Sequence, residues 1–162
     1  MTKDLTIQTE DGIVNIRVGA IILRDGKFLM AGNKNSSRLW SVGGRIRFGE
    51  SAREAVEREV WEETGVRMQA DRLGFIHENF FKINTQPVYE IEYLFYMQVP
   101  PDFEPAMRPT EAGTEAGGRE NDGQEEFLAW VSPDDDRLFY PEFFRTELLH
   151  PVREVKHMVT RS

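Results

Sequence analysis

"GGRIRFGESAREAVEREVWEETGV", residues 43–66, carries six glutamates, three of them in "EVWEE" at 59–63. Acids three and four apart on a helix repel one another, and a solvated helix face ordinarily mixes charge signs. Two readings are open for Glu59, Glu62 and Glu63: a wet helix face, or carboxylates gathered around a cation. The helix itself is well marked over Ala52–Thr64. Ser51 is an N-cap with Glu54 three residues on, completing a capping box. Gly65 stands where a left-handed C′ residue belongs, followed by an apolar Val66. Ala52, Ala55, Val56 and Val60 fall at helical spacing and form a buried stripe. Glu59, Glu62 and Glu63 then lie on a neighbouring side at i, i+3 and i+4, where hard divalent cations such as Mg²⁺ find the oxygen ligands they prefer.

Outward from this stretch, Val- and Ile-rich strands precede the helix. "DLTIQTE", "IVNIRVGAIIL" and "KFLMAG" are separated by Asp11-Gly12 and Asp25-Gly26, both tight hairpin signals. "NKNSSR", 33–38, reads as a polar loop, and Gly43-Gly44 as a tight backbone turn. After the helix, "RLGFIHENFFKI" and "PVYEIEYLFYMQV" are β-prone. Residues 102–124 hold Pro, Gly and acids with little to bury, a long loop expected to be mobile beside the site. "EFLAWVSP" returns as a strand, and "FYPEFFRTELL" predicts a short terminal helix with Pro141 in its first turn. There is no internal repeat, and the 162 residues make one domain.

The spacing Gly44, Glu50, Arg58-Glu59-Val60, Glu62-Glu63, Gly65-Val66 matches the signature of the Nudix hydrolases, and the chain resembles the MutT-like pyrophosphohydrolases of that family. The motif occupies residues 44–66, and the flanking order of elements resembles the family's α/β/α sandwich over the whole of residues 1–162. The resemblance implies an α/β fold with a mixed β-sheet. It also implies that Glu59, Glu62 and Glu63 bind metal, that the main-chain carbonyl at Gly44 joins them, and that Arg58 orients the acids. Val42 stands where the family often has proline, which removes no ligand.

Around that core stand further candidates. Glu50, at the loop–helix junction, either accepts backbone N–H bonds or supports the metal shell. Glu125 and Glu126, just before the "FLAWV" strand, are candidates for an extra acid, with ordinary loop-end acids as the alternative. Arg45 and Arg47 flank the glycines and are the favoured phosphate ligands, ahead of Arg17 and Arg24. Trp40, Phe80, Phe81 and Tyr89 offer rings for a base, though aromatics at strand spacing more often fill the core. His77, His150 and His157 show no metal or triad spacing. Glu62 or Glu63 is the candidate general base.

Composition narrows the classes. A net charge of -8 disfavours long nucleic acid as partner. There is no cysteine, hence no disulfide and no thiolate chemistry. No apolar run nears the roughly 20 residues of a membrane span, and "MTKDLTIQTEDG" has no signal-like apolar core, which predicts a cytoplasmic protein. The expected activity is Mg²⁺-dependent hydrolysis, with Mn²⁺ as substitute, of a diphosphate linkage in a nucleoside diphosphate joined to another moiety. The alternatives are a non-catalytic nucleotide-binding sensor on the same fold, which would be expected to have lost an acid, and an enzyme of capped RNA or large dinucleotides. The sequence leaves the substrate and a homodimer open.

Overall fold

A computed structural model describes residues 3–105, 110–111 and 125–162. The elements in chain order are β1 (Thr6–Gln8), β2 (Ile13–Ile21), β3 (Leu23–Arg24), β4 (Lys27–Asn33), β5 (Arg38–Arg45), α1 (Ala52–Thr64), β6 (Ala70–Ile83), β7 (Gln86–Met97), β8 (Thr110–Glu111), β9 (Glu125–Val131), β10 (Leu138–Tyr140), α2 (Phe144–Glu147) and β11 (Lys156–Arg161). The strands join into a mixed sheet ordered β11-β6-β7-β2-β5-β4-β9-β8, with β1 beside β2, β3 beside β4 and β10 beside β5. Among the described residues three pairs are parallel: β2 with β7, β5 with β10, and β6 with β11. Both Asp-Gly signals close hairpins, and Asp25 and Gly26 take the positive φ angles, 51° and 74°, of the turn between β3 and β4.

Alternation along β2 assigns the two faces. Val18 and Ala20 face α1 and pack with Val42, Ala55, Val56 and Val60. Ile21 points the other way, into Phe28, Leu39, Phe75, Phe139 and Phe144. There Phe28 meets Phe139 and Phe144 edge to face at centroid distances of 5.3 and 5.8 Å, the arrangement ring quadrupoles favour. Among the described residues no helix is long and apolar enough to cross a membrane.

Several expectations are corrected. Residues 38–45 form β5, so Gly43-Gly44 is strand and not turn. Glycine is required at 43 by close approach: a Cβ there would lie 2.1 Å from the Val18 carbonyl oxygen on β2. The terminal helix shrinks to the single turn of α2, and Pro141 stands ahead of it, not in it. The chain ends on a strand, β11, whose alternating polar residues hid its β character.

The stretch 102–124 is also different where it is described; 106–109 and 112–124 lie outside the described residues. Phe103 is buried in the α1-side core beside Trp130. The Arg24 guanidinium donates to the Pro100 and Phe103 carbonyls and lies over both the Phe103 and Trp130 rings. Arg24 is therefore engaged as a structural clasp. Phe103→Ala should cost about 3–5 kcal/mol, the usual loss for a core phenylalanine, in urea unfolding. A loss below about 1 kcal/mol would show that this segment is not part of the core.

Candidate active site

α1 is fixed at both ends before any site chemistry is considered. Ser51 and Glu54 exchange the two bonds of the capping box, and Gly65, at φ 73°, closes the C-terminus. The last turn carries no basic residue, so Glu62 and Glu63 stand at the negative end of the helix dipole. Glu59 is worse placed, 5% exposed among the apolar residues of the buried stripe. Burying a carboxylate is costly unless it is paired.

Arg58 supplies the pairing. Its Nε lies 2.6 Å from Glu50 Oε2 and its Nη2 2.8 Å from Glu50 Oε1, a two-pronged contact. Nη1 donates to Glu59 Oε1 at 3.0 Å and Glu62 Oε2 at 3.1 Å. Nη2 also donates to the Arg45 carbonyl at 3.2 Å. One guanidinium thus touches three carboxylates and the strand leading to the helix. Glu50 Oε1 accepts the Arg47 amide at 2.8 Å, the Arg47 side chain lies 3.7 Å from Glu62, and the Gly43 amide donates to Glu63 Oε2 at 3.1 Å.

The proton affinities follow. Burial pushes Glu50 up, but the bonds from Arg58 and the Arg47 amide more than offset it, and the carboxyl sits below its ordinary value. Burial works against the Arg58 charge too, yet Glu50 and Glu59 hold its pKa above the ordinary arginine value. Glu62 goes the other way: burial and the Glu59 charge raise it beyond what Arg58 and Arg47 take back. The ionised Glu62 is therefore under net electrostatic strain.

Glu50, Arg58, Glu59 and Glu62 come together as expected, with Glu63 drawn to the glycine strand. Among the described residues no group of three acids is disposed to hold a metal ion, and the charge that Glu50, Glu59 and Glu62 surround is Arg58. The donor set nonetheless fits a divalent metal: Arg58 shows that these carboxylates can converge on one positive centre. Gly44 lies in β5 opposite Val18. The Arg45 side chain is exposed, and only its carbonyl joins the cluster. Trp40 is half-buried against the α1-side core. Phe80 stacks on Tyr89 at 4.9 Å, and Arg161 covers it, so these rings are occupied with one another. Glu126 is buried on β9 opposite Asn33, and Glu125 begins that strand.

Sequence reading missed a second polar cluster. Arg17 Nε lies 2.7 Å from Glu92 Oε2, Glu92 Oε1 lies 3.4 Å from His77 Nδ1, and His77 Nε2 lies 2.8 Å from Thr160 Oγ1. The signal was present in "VYEIEYLF", where Glu90 and Glu92 occupy the same side of a strand that continues inward as Leu94 and Tyr96.

Comparison with known proteins bears on the same residues. A NUDIX domain profile matches residues 14–146. A MutT-like protein of Streptomyces ambofaciens is 31% identical over 72 residues, 44% of this chain and 47% of that protein, so the match spans about half of the relative. A MutT protein structure from Methanosarcina mazei is 27% identical, with a TM-score of 0.52 over 85% of this chain and 91% of that one. An ADP-ribose pyrophosphatase of Streptococcus suis, 16% identical, shares the fold at a TM-score of 0.56 over 88% of this chain and 98% of that one. With the profile covering most of its length, α1 included, the chain belongs to the Nudix hydrolase family.

Proposed function

We propose that this protein hydrolyses the diphosphate linkage of a nucleoside diphosphate joined to a second group, with Mg²⁺, or Mn²⁺ in its place. The observation that carries this reading is the convergence of Glu50, Glu59 and Glu62 on the single charge of Arg58. Glu59, Glu62 and Glu63 would hold the metal, with Glu50 and the main chain at Gly44 beside them. Bound there, the metal supplies positive charge that stabilises phosphate oxygens and acidifies water.

The chain's own residues provide the rest. Arg58 holds Glu50, Glu59 and Glu62 in register, so the cluster is ordered before substrate arrives. Water adds to phosphorus as the bridging P–O bond breaks, and its proton passes to a carboxylate; Glu62 and Glu63 are the acids placed for this. Glu62, whose proton affinity is raised by burial and by the Glu59 charge, is suited to accept that proton. Arg47, beside Glu62, and the exposed Arg45 offer charge to the outgoing phosphate. The structure described as an ADP-ribose pyrophosphatase agrees in reaction type.

Two measurements test this. EDTA should abolish phosphate or nucleotide release from a panel of nucleoside diphosphate derivatives, and Mg²⁺ should restore it; turnover that persists in EDTA sinks the mechanism. In Glu62→Gln, activity should fall at least about a hundredfold. A carboxyl whose folded pKa is raised destabilises the fold once ionised, so its penalty grows as pH rises through that pKa. Hence Glu62→Gln without metal should melt at or above the parent temperature at neutral pH. It should also lose much of the stabilisation that Mg²⁺ gives the parent. A lower metal-free melting temperature with undiminished response to Mg²⁺ would make Glu62 structural.

A further inference from the structure

A cleft opens on the sheet face that carries the second core cluster. It is lined among others by Arg17, Trp40, His77, Asn79, Glu90 and Tyr140, so rings stand in its wall beside the polar groups. Its free volume is about 70 Å³, several times the 10–15 Å³ that one water needs. It is linked to the acid cluster of α1 through β5 and β2. Ser41 in its wall is two residues from Gly43, which binds Glu63, and Gly43 faces Gly19 on β2. A Cβ on Gly19 would come within 2.9 Å of Ser41 Oγ and 3.4 Å of Glu92 Oε2. Burial works against the Arg17 charge, but Glu92, Glu90, Glu63 and Glu59 more than offset it, so Arg17 stands within the field of both sites.

The charges facing the cleft decide what it takes. Arg17 is committed to Glu92, and Glu92 is held from its other side by His77, itself anchored on Thr160. Glu90 stands two residues along β7 on the same face, opposite Asn15. Burial raises its proton affinity and Glu92 adds to that, against Arg17 and Asn15. Glu142 stands exposed in the same lining. With Arg17 and Glu92 paired to each other, Glu90 and Glu142 are the acids left facing the cleft, and a further phosphate would be repelled. A purely apolar group would leave the polar wall without partners, at a cost. An uncharged polar ring that donates hydrogen bonds meets neither penalty.

We propose that this cleft receives the group joined to the diphosphate, that the group is an uncharged ring bearing N–H or O–H donors, and that Glu90 selects it. Only the location of the diphosphate rests on the hydrolase reading. The test is therefore made in EDTA, where no turnover is needed. Backbone amide shifts are followed by NMR as adenosine, cytidine, uridine, methyl riboside or inorganic phosphate is added to the full chain. The expected result is nucleoside-induced shifts at His77, Asn79 and Thr160, none there from phosphate, and affinity weakened about tenfold or more in Glu90→Gln. Preference for cytidine over uridine assigns the donor to an exocyclic amino group. Equal binding of every nucleoside and of methyl riboside assigns it to sugar hydroxyls. Shifts centred elsewhere, phosphate binding in the cleft, or a folded Glu90→Gln that binds as the parent does would overturn the proposal. Should Glu90→Gln fail to fold, the map on the unaltered protein decides alone. A filled cleft in a protein without turnover would refute the hydrolase reading and spare this one; an empty cleft in an active enzyme would do the reverse.

Discussion

Glu59 is a carboxylate buried in the contact between α1 and the sheet, and the structure around it depends on Arg58 making that tolerable. A lone buried charge costs several kcal/mol. Here one guanidinium, 17% exposed, spreads its donors over Glu59, Glu62 and Glu50. Glu50 in turn receives the Arg47 amide, and Arg58 itself reaches the Arg45 carbonyl. The loop between β5 and α1 is thereby tied to the helix by charge and hydrogen bonding as much as by apolar contact. The arrangement is not at rest, since Glu62 remains under net strain. On the proposed function a bound divalent cation would relieve that strain, and the same carboxylates would serve both stability and chemistry.

The scaffold keeps this cluster narrow. The capping box and the glycine C′ residue set where α1 begins and ends, and hence which way residues 59, 62 and 63 face. Gly43 lets β5 press against β2 where a side chain would strike the Val18 carbonyl. That brings the Gly43 amide within reach of Glu63. Local sequence rules and long-range packing meet at this point: the helix presents the acids, and the sheet receives them.

Much of this was legible in the sequence because it is local. The helix, its two caps, its buried stripe and the acid spacing are all set by residues within one turn of each other. Both Asp-Gly hairpins are equally local. What escaped depends on distant partners. β5 looked like loop and turn because its glycines answer to β2 and not to their chain neighbours. β11 shows no strong β signal of its own and is ordered by pairing with β6. Phe103 sat in a stretch of Pro, Gly and acids, and only the core cavity it fills reveals its role. The Arg17–Glu92–His77–Thr160 chain joins β2, the β6–β7 hairpin and β11, so the acids of "VYEIEYLF" hint at it but their partners come from distant strands.

Comparing urea unfolding of the parent and Arg58→Met, in EDTA and in saturating Mg²⁺, tests most directly whether one charge holds the acids together. If Arg58 neutralises the carboxylates that also bind metal, the substitution costs about 3 kcal/mol in EDTA, as when one partner of a buried pair is removed. The loss then shrinks clearly in Mg²⁺, because the ion takes over the same charges. An equal loss in both conditions, or none in either, would contradict this and reduce Arg58 to an ordinary surface arginine.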